Sequence, residues 1–316
     1  MNKIALQISP EAKAAYFADY LKVAQRELVQ VFGEIPVTYS NVGPLEFFEL
    51  EGKGLNLNRL LQLSFAQGLY SIEDTLLRPL ELRAEYRLHE DFVFGSKFRG
   101  KTNERLTQML INVGLAAIGA EAGAGLKLLD PMCGRATTLL WAMRYGLKAR
   151  GIEQDANAIV DIHRNLKKWT KLHRQKHTLS EGFIGAPHKQ GSCKFLEFSA
   201  EESTMRVIVG EARNADQILK EEKFDLLVSD LPYGVQHFTT ERTRNPLAVI
   251  EECVGSWKKC LKKTGAIVLA FNRNNPKRDS LIEAFGQGGF EPQPFSAEHR
   301  MSESIVRDVV IFMLRH

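Results

Sequence analysis

From about Lys101 to the C-terminus, short apolar runs of strand length alternate with amphipathic helical stretches. This alternation constrains the fold more than any other feature, because strands separated by helices must lie parallel in one sheet with the helices packed on its faces. A helix is expected over Lys101–Ile118, and strands over Lys127–Asp130, Lys148–Glu153, Met205–Val209, Phe224–Ser229 and Ala266–Phe271. The last two runs, Phe290–Phe295 and Asp308–Leu314, are separated by only a dozen residues. That is too short for a helical crossover, so they are expected to be antiparallel. The expected class is α/β, a Rossmann-like sheet that is mostly parallel and ends in an antiparallel strand.

The N-terminal part has a different texture. Lys3–Ile8 alternates as a short strand. Pro10 opens a helical stretch to about Phe32, with Tyr16, Tyr20, Ala24, Leu28 and Val31 at helical spacing and Gly33 as its stop. Thr38–Tyr39 and Glu46–Leu50 are expected as strands around a turn at Gly43-Pro44, Leu60–Leu69 as a helix, and Tyr86–Phe94 as a strand leading out. Residues 1–97 are therefore expected to form a small α+β domain and residues 98–316 the sheet domain.

The first sheet strand runs into Asp130-Pro131-Met132-Cys133-Gly134, with Thr137 or Thr138 placed to cap the following helix. Ligands of open α/β sheets bind at the carboxyl ends of strands, and Gly134 lets the backbone approach one closely. The next strand ends in Glu153, 23 residues after Asp130, where a carboxylate can accept both ribose hydroxyl protons. The third ends in Gly210-Glu211-Ala212-Arg213, where an adenine edge can be held. The turn lacks the G-x-G-x-x-G spacing of a pyrophosphate site. An acid at Asp130 repels phosphate and favours a cationic sulfonium or amino group. Together with the antiparallel last strand, this points to a methyltransferase rather than a dinucleotide dehydrogenase.

The fourth strand ends in Asp230-Leu231-Pro232-Tyr233-Gly234. Methyl transfer from a sulfonium is an in-line displacement, so positioning carries much of the catalysis. Asp230 and the carbonyl of Leu231 can accept hydrogen bonds from a target amine and stabilise its developing charge. Pro232 fixes the backbone, and Tyr233 offers a face on which an extruded base can stack.

These two motifs resemble a known family, the RNA methylases related to the tRNA guanine-N2 methyltransferases, whose signatures read D-P-x-C-G-S-G-T and D-P-P-Y-G. The resemblance covers residues 98–316 and implies a class I, S-adenosyl-L-methionine-dependent methyltransferase. It implies that Asp130, Pro131, Cys133, Gly134 and Thr137 line the methionine end of the cofactor, and that Glu153 and Gln154 meet the ribose. It further implies that Glu211 and Ala212 meet the adenine and that Asp230, Leu231, Pro232 and Tyr233 hold the target amine. Lys101-Thr102-Asn103-Glu104-Arg105 is similar to the family's pre-motif segment, which places Thr102 near the methionine. Arg135-Ala136 stands where the family has Ser-Gly, and Leu231 where it has the first proline. The first 95 residues weakly resemble the ferredoxin-like domain of some members, which implies an RNA-binding role. The stretch before Lys101 is too short to hold a THUMP domain as well.

The substrate implied is an exocyclic amine of an RNA base, with guanine N2 of tRNA favoured because aspartate rather than asparagine opens the motif. DNA adenine, a protein side-chain amide and a non-catalytic binding module are the alternatives. The run from His163 to His177 carries Arg164, Lys167, Lys168, Lys171, Arg174 and Lys176 with no acidic residue. It is consistent with phosphate contacts, with Trp169 as a stacking surface, though a solvated helix face fits the same pattern. The residues beyond it, through Gly182, Gly185, Pro187 and Gly191, are expected as loop. The formal net charge of +4 accommodates an acidic partner without requiring one. Cys133, Cys193, Cys253 and Cys260 show no metal-ligand spacing, so free thiols and no metal are expected. With no signal-like or membrane-length apolar run, a cytoplasmic protein with no membrane contact is expected. The sequence leaves room for a partner subunit.

Overall fold

The structure, a computed structural model, describes residues 3–51, 53–98, 101–123, 125–185, 193–231, 246–301 and 305–315. The N-terminal part comprises β1 (Lys3–Ile8), α1 (Pro10–Tyr16), α2 (Tyr20–Phe32), β2 (Val37–Val42), β3 (Leu45–Glu51), α3 (Leu57–Leu61), β4 (Ala66–Glu73) and β5 (Leu76–Pro79). Its strands form an antiparallel sheet in the order β2-β3-β1-β4-β5.

Three expectations are corrected here. The helical stretch from Pro10 is broken at Phe17, which takes φ +50° and ends α1. Leu60–Leu69 is not one helix. It is the end of α3 followed by β4, which pairs with β1 through Ala5↔Tyr70 and Leu6↔Leu69. Tyr86–Phe94 is not a strand but an extended strap closed by the single turn of α4 (Asp91–Phe94).

The remainder is α5 (Glu104–Ala117), β6 (Lys127–Asp130), α6 (Thr137–Arg144), β7 (Lys148–Glu153), α7 (Ala156–Leu172), β8 (Thr178–Ile184), β9 (Cys193–Ala200) and β10 (Ser203–Val209), then α8 (Ala215–Leu219), β11 (Phe224–Asp230), α9 (Pro246–Cys260), β12 (Leu261–Asn272), α10 (Arg278–Gln287), β13 (Phe290–Pro292), β14 (His299–Arg300) and β15 (Val306–Leu314). The sheet order is β13-β15-β12-β11-β6-β7-β10-β9-β8, with β14 added on β15. The pairs β12–β11, β11–β6, β6–β7 and β7–β10 are parallel. Strand β15 is antiparallel to both β12 and β13, as the short final connection requires.

The segment after α7 departs from expectation. It folds as the antiparallel pair β8–β9 and widens the sheet beyond β10. Gly182 lies inside β8 opposite Phe195, and a Cβ there would fall 2.9 Å from that ring. Pro187 and Gly191 lie outside the described residues.

Side chains of the central strands alternate between two apolar layers, as period-2 geometry dictates. Leu128, Leu226 and Val228 join one layer with α5 and α6, and Leu129 and Leu227 join the other with α9 and α10. The first layer continues into the N-terminal part through Ile4, Leu6, Val23 and Leu28.

Polar groups cross the same junction. Glu27 of α2, fully buried, accepts from Ser64 N (3.0 Å), Ser64 Oγ (2.5 Å) and Asn112 Nδ2 of α5 (2.7 Å). Burial pushes its carboxyl up to about 6, against the opposing pull of those hydrogen bonds. The folded-state value lies above the unfolded one, so the stability Glu27 contributes is fully present below about pH 4.5 and is lost as pH rises through 6. At about 1.4 kcal/mol per pH unit of separation, the loss is about 2 kcal/mol. Denaturant unfolding at pH 4.5 and pH 7 is expected to show this loss in the wild type and a flatter dependence in Glu27→Gln. An equal slope in both proteins would contradict it.

Candidate functional site

Chain direction across the sheet reverses at β6. The chain steps from β6 outward through β7 to β10, then returns to the other side of β6 as β11. A crevice opens at the carboxyl ends of strands flanking such a switch point, where neighbouring connections leave in opposite directions. Asp130 ends β6, Glu153 ends β7, and Asp230 ends β11, so the three acids stand at one edge of three adjacent strands.

The loop after β6 is tightly specified. Asp130 is 3% exposed, and its Oδ1 accepts from Met132 N (3.1 Å) and Ser229 Oγ of β11 (2.8 Å). Burial pushes its carboxyl up to about 6, opposed by hydrogen bonds from Thr138, Ser229 and Met132. The carboxyl group thus ties the loop to the neighbouring strand β11. Cys133 is buried beneath the loop and donates its N–H to Ile152 O at 3.0 Å. Its side chain needs Gly151, where a Cβ would fall 2.6 Å from Cys133 Sγ. Gly134 takes φ +52°, and a Cβ built there meets nothing within 4 Å. The space beside it is open, which fits a ligand lying against this loop.

Glu153 binds the loop from the side. Its Oε2 accepts from Gly134 N at 2.8 Å and its Oε1 from Asp155 N at 2.8 Å. Both oxygens are held by backbone donors, and each has further acceptor capacity. Gln154 is exposed next to it. Gly210 N donates to Glu153 O at 3.0 Å, placing Glu211 and Ala212 beside the same strand end. Glu211 pairs with Arg213 (2.6 Å), and Ala212 O accepts from Trp257 Nε1 (3.1 Å). Thr102 is half-buried just ahead of α5, whose N-terminus is capped by Asn103 Oδ1 accepting from Arg105 N and Leu106 N, both at 3.0 Å.

One expectation about this loop changes. Thr137 does not cap α6, because the capping position is Ala136 with φ +65° and Thr137 is the first helical residue, buried. Ala136 therefore holds the left-handed conformation that favours glycine. Arg135 reaches back over α7 to Asp155 (3.4 Å) and Asp161 (3.2 Å). Its bulk is anchored on the helix after β7.

At the end of β11, Leu231 is buried and donates its N–H to Ala270 O at 2.9 Å. Pro232 and Tyr233 lie outside the described residues. Asp230 Oδ2 is 3.2 Å from Arg307 Nη2 of β15, with the two side chains 9% and 6% exposed. The guanidinium offsets the cost of placing a carboxylate where water scarcely reaches it. Sequence reasoning overlooked Arg307. The available signal was the charged pair Arg307-Asp308 within the otherwise apolar run Val306–Leu314, where burial demands partners.

The basic residues of α7 and the following turn, Arg164, Lys167, Lys168, Lys171, Arg174 and Lys176, are all exposed. Trp169 is not available for stacking. It is 6% exposed and donates Nε1–H to Asn165 Oδ1 (2.9 Å) and Ser96 Oγ (3.0 Å). None of the four cysteines is in a disulfide. No helix among the described residues is long and apolar enough to cross a membrane.

Comparison with known proteins gives one family. The sequence model described as RMKL-like, methyltransferase domain, matches residues 103–285, more than half of the chain. No functionally curated sequence matches. Among solved structures, TrmN from Thermus thermophilus is 12% identical with a TM-score of 0.47, over 89% of this chain and 60% of that one. The chain thus spans less than two thirds of TrmN. An S-adenosylmethionine-dependent methyltransferase from Clostridium acetobutylicum is 8% identical with a TM-score of 0.46, over 72% of this chain and 96% of that one. An rRNA methylase from Streptococcus thermophilus is 10% identical with a TM-score of 0.41, over 65% and 96% of the two chains.

Proposed function

The chain belongs to the RMKL-like methyltransferase-domain family and takes S-adenosylmethionine as its cofactor, and from that premise we propose that it methylates an exocyclic amine of an RNA base. The observation that carries this reading is the adjacency of the β6 loop and Asp230 across the switch point, joined by the Ser229–Asp130 hydrogen bond. When bound, S-adenosylmethionine supplies a methyl group already activated on a sulfonium. Every other demand of the reaction falls on the chain's own residues.

In this reading Asp130, Pro131, Cys133, Gly134 and Thr137 shape the cradle for the methionine end, with Thr102 closing it. Glu153 and Gln154 take the ribose, and Glu211 and Ala212 the adenine. Asp230 and the carbonyl of Leu231 accept hydrogen bonds from the target amine, Pro232 sets the backbone, and Tyr233 stacks on the base. Arg307 holds the Asp230 carboxylate in place through the ion pair to its Oδ2.

The exposed basic face of α7 supports an RNA partner, since phosphates are drawn to clustered Lys and Arg. Aspartate at 230 favours guanine N2 in tRNA as the target. The N-terminal part, residues 1–97, adds RNA-binding surface in this reading, and residues 98–316 carry the transfer. Incubation with methyl-labelled cofactor and separate RNA, DNA and protein fractions tests the proposal. Label is expected in RNA, and label confined to DNA or protein would replace RNA with that substrate.

A further inference from the structure

Two histidines and an aspartate converge away from the strand-end crevice, where the strap before α5 crosses α7. His89 and Asp91 come from the strap and the start of α4, and His173 is the residue that ends α7. His173 Nε2 lies 2.9 Å from Asp91 Oδ2, and His89 Nδ1 lies 3.5 Å from the same oxygen. All three donor atoms fall within 4.8 Å of one another. We propose that His89, Asp91 and His173 bind a divalent transition ion of the zinc class, which clips the strap to α7.

The spacing supports this reading. Zinc bonds nitrogen and oxygen at about 2.0–2.2 Å, so neighbouring tetrahedral ligands stand about 3.4 Å apart. The two distances to Asp91 bracket that value. Two imidazoles and one carboxylate suit zinc rather than calcium or magnesium, which prefer all-oxygen sites.

His89 and His173 stack with centroids 3.7 Å apart and 21° between planes, and both face one carboxylate oxygen of Asp91. The in-plane lone pairs of stacked rings do not meet at one point, so an ion engages both imidazoles once one ring turns.

The surroundings are partly built. His173 stacks on Trp169 at 5.9 Å, and Phe92 and Trp169 are nearly fully buried on the inner side. The strap is already fastened to α7 by Asn165 Nδ2 donating to Phe92 O (3.3 Å) and by Trp169 Nε1 donating to Ser96 Oγ (3.0 Å). Two ligands are therefore held before any ion arrives. His89 is the adjustable third, with 46% of its side chain exposed. Its ring must turn so that Nδ1 aims at the ion, giving up the bond it accepts from Asp91 N at 3.2 Å. A solvent molecule completes the fourth position.

Calorimetric titration of the chelator-treated full-length chain with zinc chloride tests the site. One equivalent is expected to bind at micromolar concentration and to raise the melting temperature. His89→Ala and His173→Ala are each expected to weaken that binding about tenfold or more and to abolish the melting shift. His177→Ala is expected to leave both unchanged. The side chain of His89 is half-exposed, so its variant stays interpretable even if His173→Ala fails to fold. Absence of saturable binding, or full zinc affinity in His89→Ala, would overturn the proposal. The outcome is independent of the methyl-transfer reading, because it requires neither S-adenosylmethionine nor a methyl acceptor.

Discussion

Asp230→Ala is expected to reduce methyl transfer by at least about 100- to 1000-fold while leaving S-adenosylmethionine affinity within a few-fold of wild type. The magnitude is that of removing one group aimed at charge developing in a transition state. The separation of effects follows from position. Asp230 ends β11, whereas the loop held by Glu153 belongs to β6 and β7. Removing the carboxylate also leaves Arg307 as a buried cation without this partner. Some loss of stability, on the order of 3 kcal/mol, is therefore expected, and Asp230→Asn is the milder control. It keeps an acceptor of similar shape and loses the charge. Single-turnover rates with labelled cofactor, alongside calorimetric binding of S-adenosylmethionine, make the comparison. Full activity in Asp230→Ala would remove Asp230 from the amine site.

Glu153→Ala is expected to do the reverse. Its carboxylate holds Gly134 N and Asp155 N at 2.8 Å each, and in the proposed site it also receives the ribose hydroxyls. Hydrogen bonds to a charged acceptor contribute about 1.5–3 kcal/mol. Cofactor affinity should therefore fall between about tenfold and hundredfold. At saturating cofactor the transfer rate should recover most of its wild-type value. Unchanged affinity would place the ribose elsewhere.

Ala266–Phe271 was legible because burial on both sheet faces makes it a continuous apolar run, and the shorter strands were legible from the turn residues that bound them. Lys127–Asp130 and Lys148–Glu153 match β6 and β7 residue for residue. Leu60–Leu69 was ambiguous, since a short apolar run fits a helix and a buried strand equally well. Pairing with β1, a contact distant in sequence, decides it. The β8–β9 hairpin was hidden by Gly182, which reads as a chain breaker until the ring of Phe195 covers it from the neighbouring strand.

The site was legible at its backbone turns and less so in its side-chain pairings. Asp130, Gly134 and Glu153 announce themselves through spacing. The route of Arg135 to Asp155 and Asp161 depends on where α7 lies, which no local pattern encodes. Trp169 was a different matter. Ile162, Leu166 and Trp169 follow helical spacing and share the buried face, so periodicity alone argued against an exposed ring in that basic run.

In the proposed site, the ends of β6, β7 and β11 form one crevice in which cofactor and amine meet. A crystal structure with S-adenosylhomocysteine tests it most directly. Ribose hydroxyls are predicted on the Glu153 carboxylate, with the sulfur between the Gly134 loop and Asp230. A ligand bound away from Glu153, or an Asp230 carboxylate walled off from the sulfur by Arg307, would contradict it.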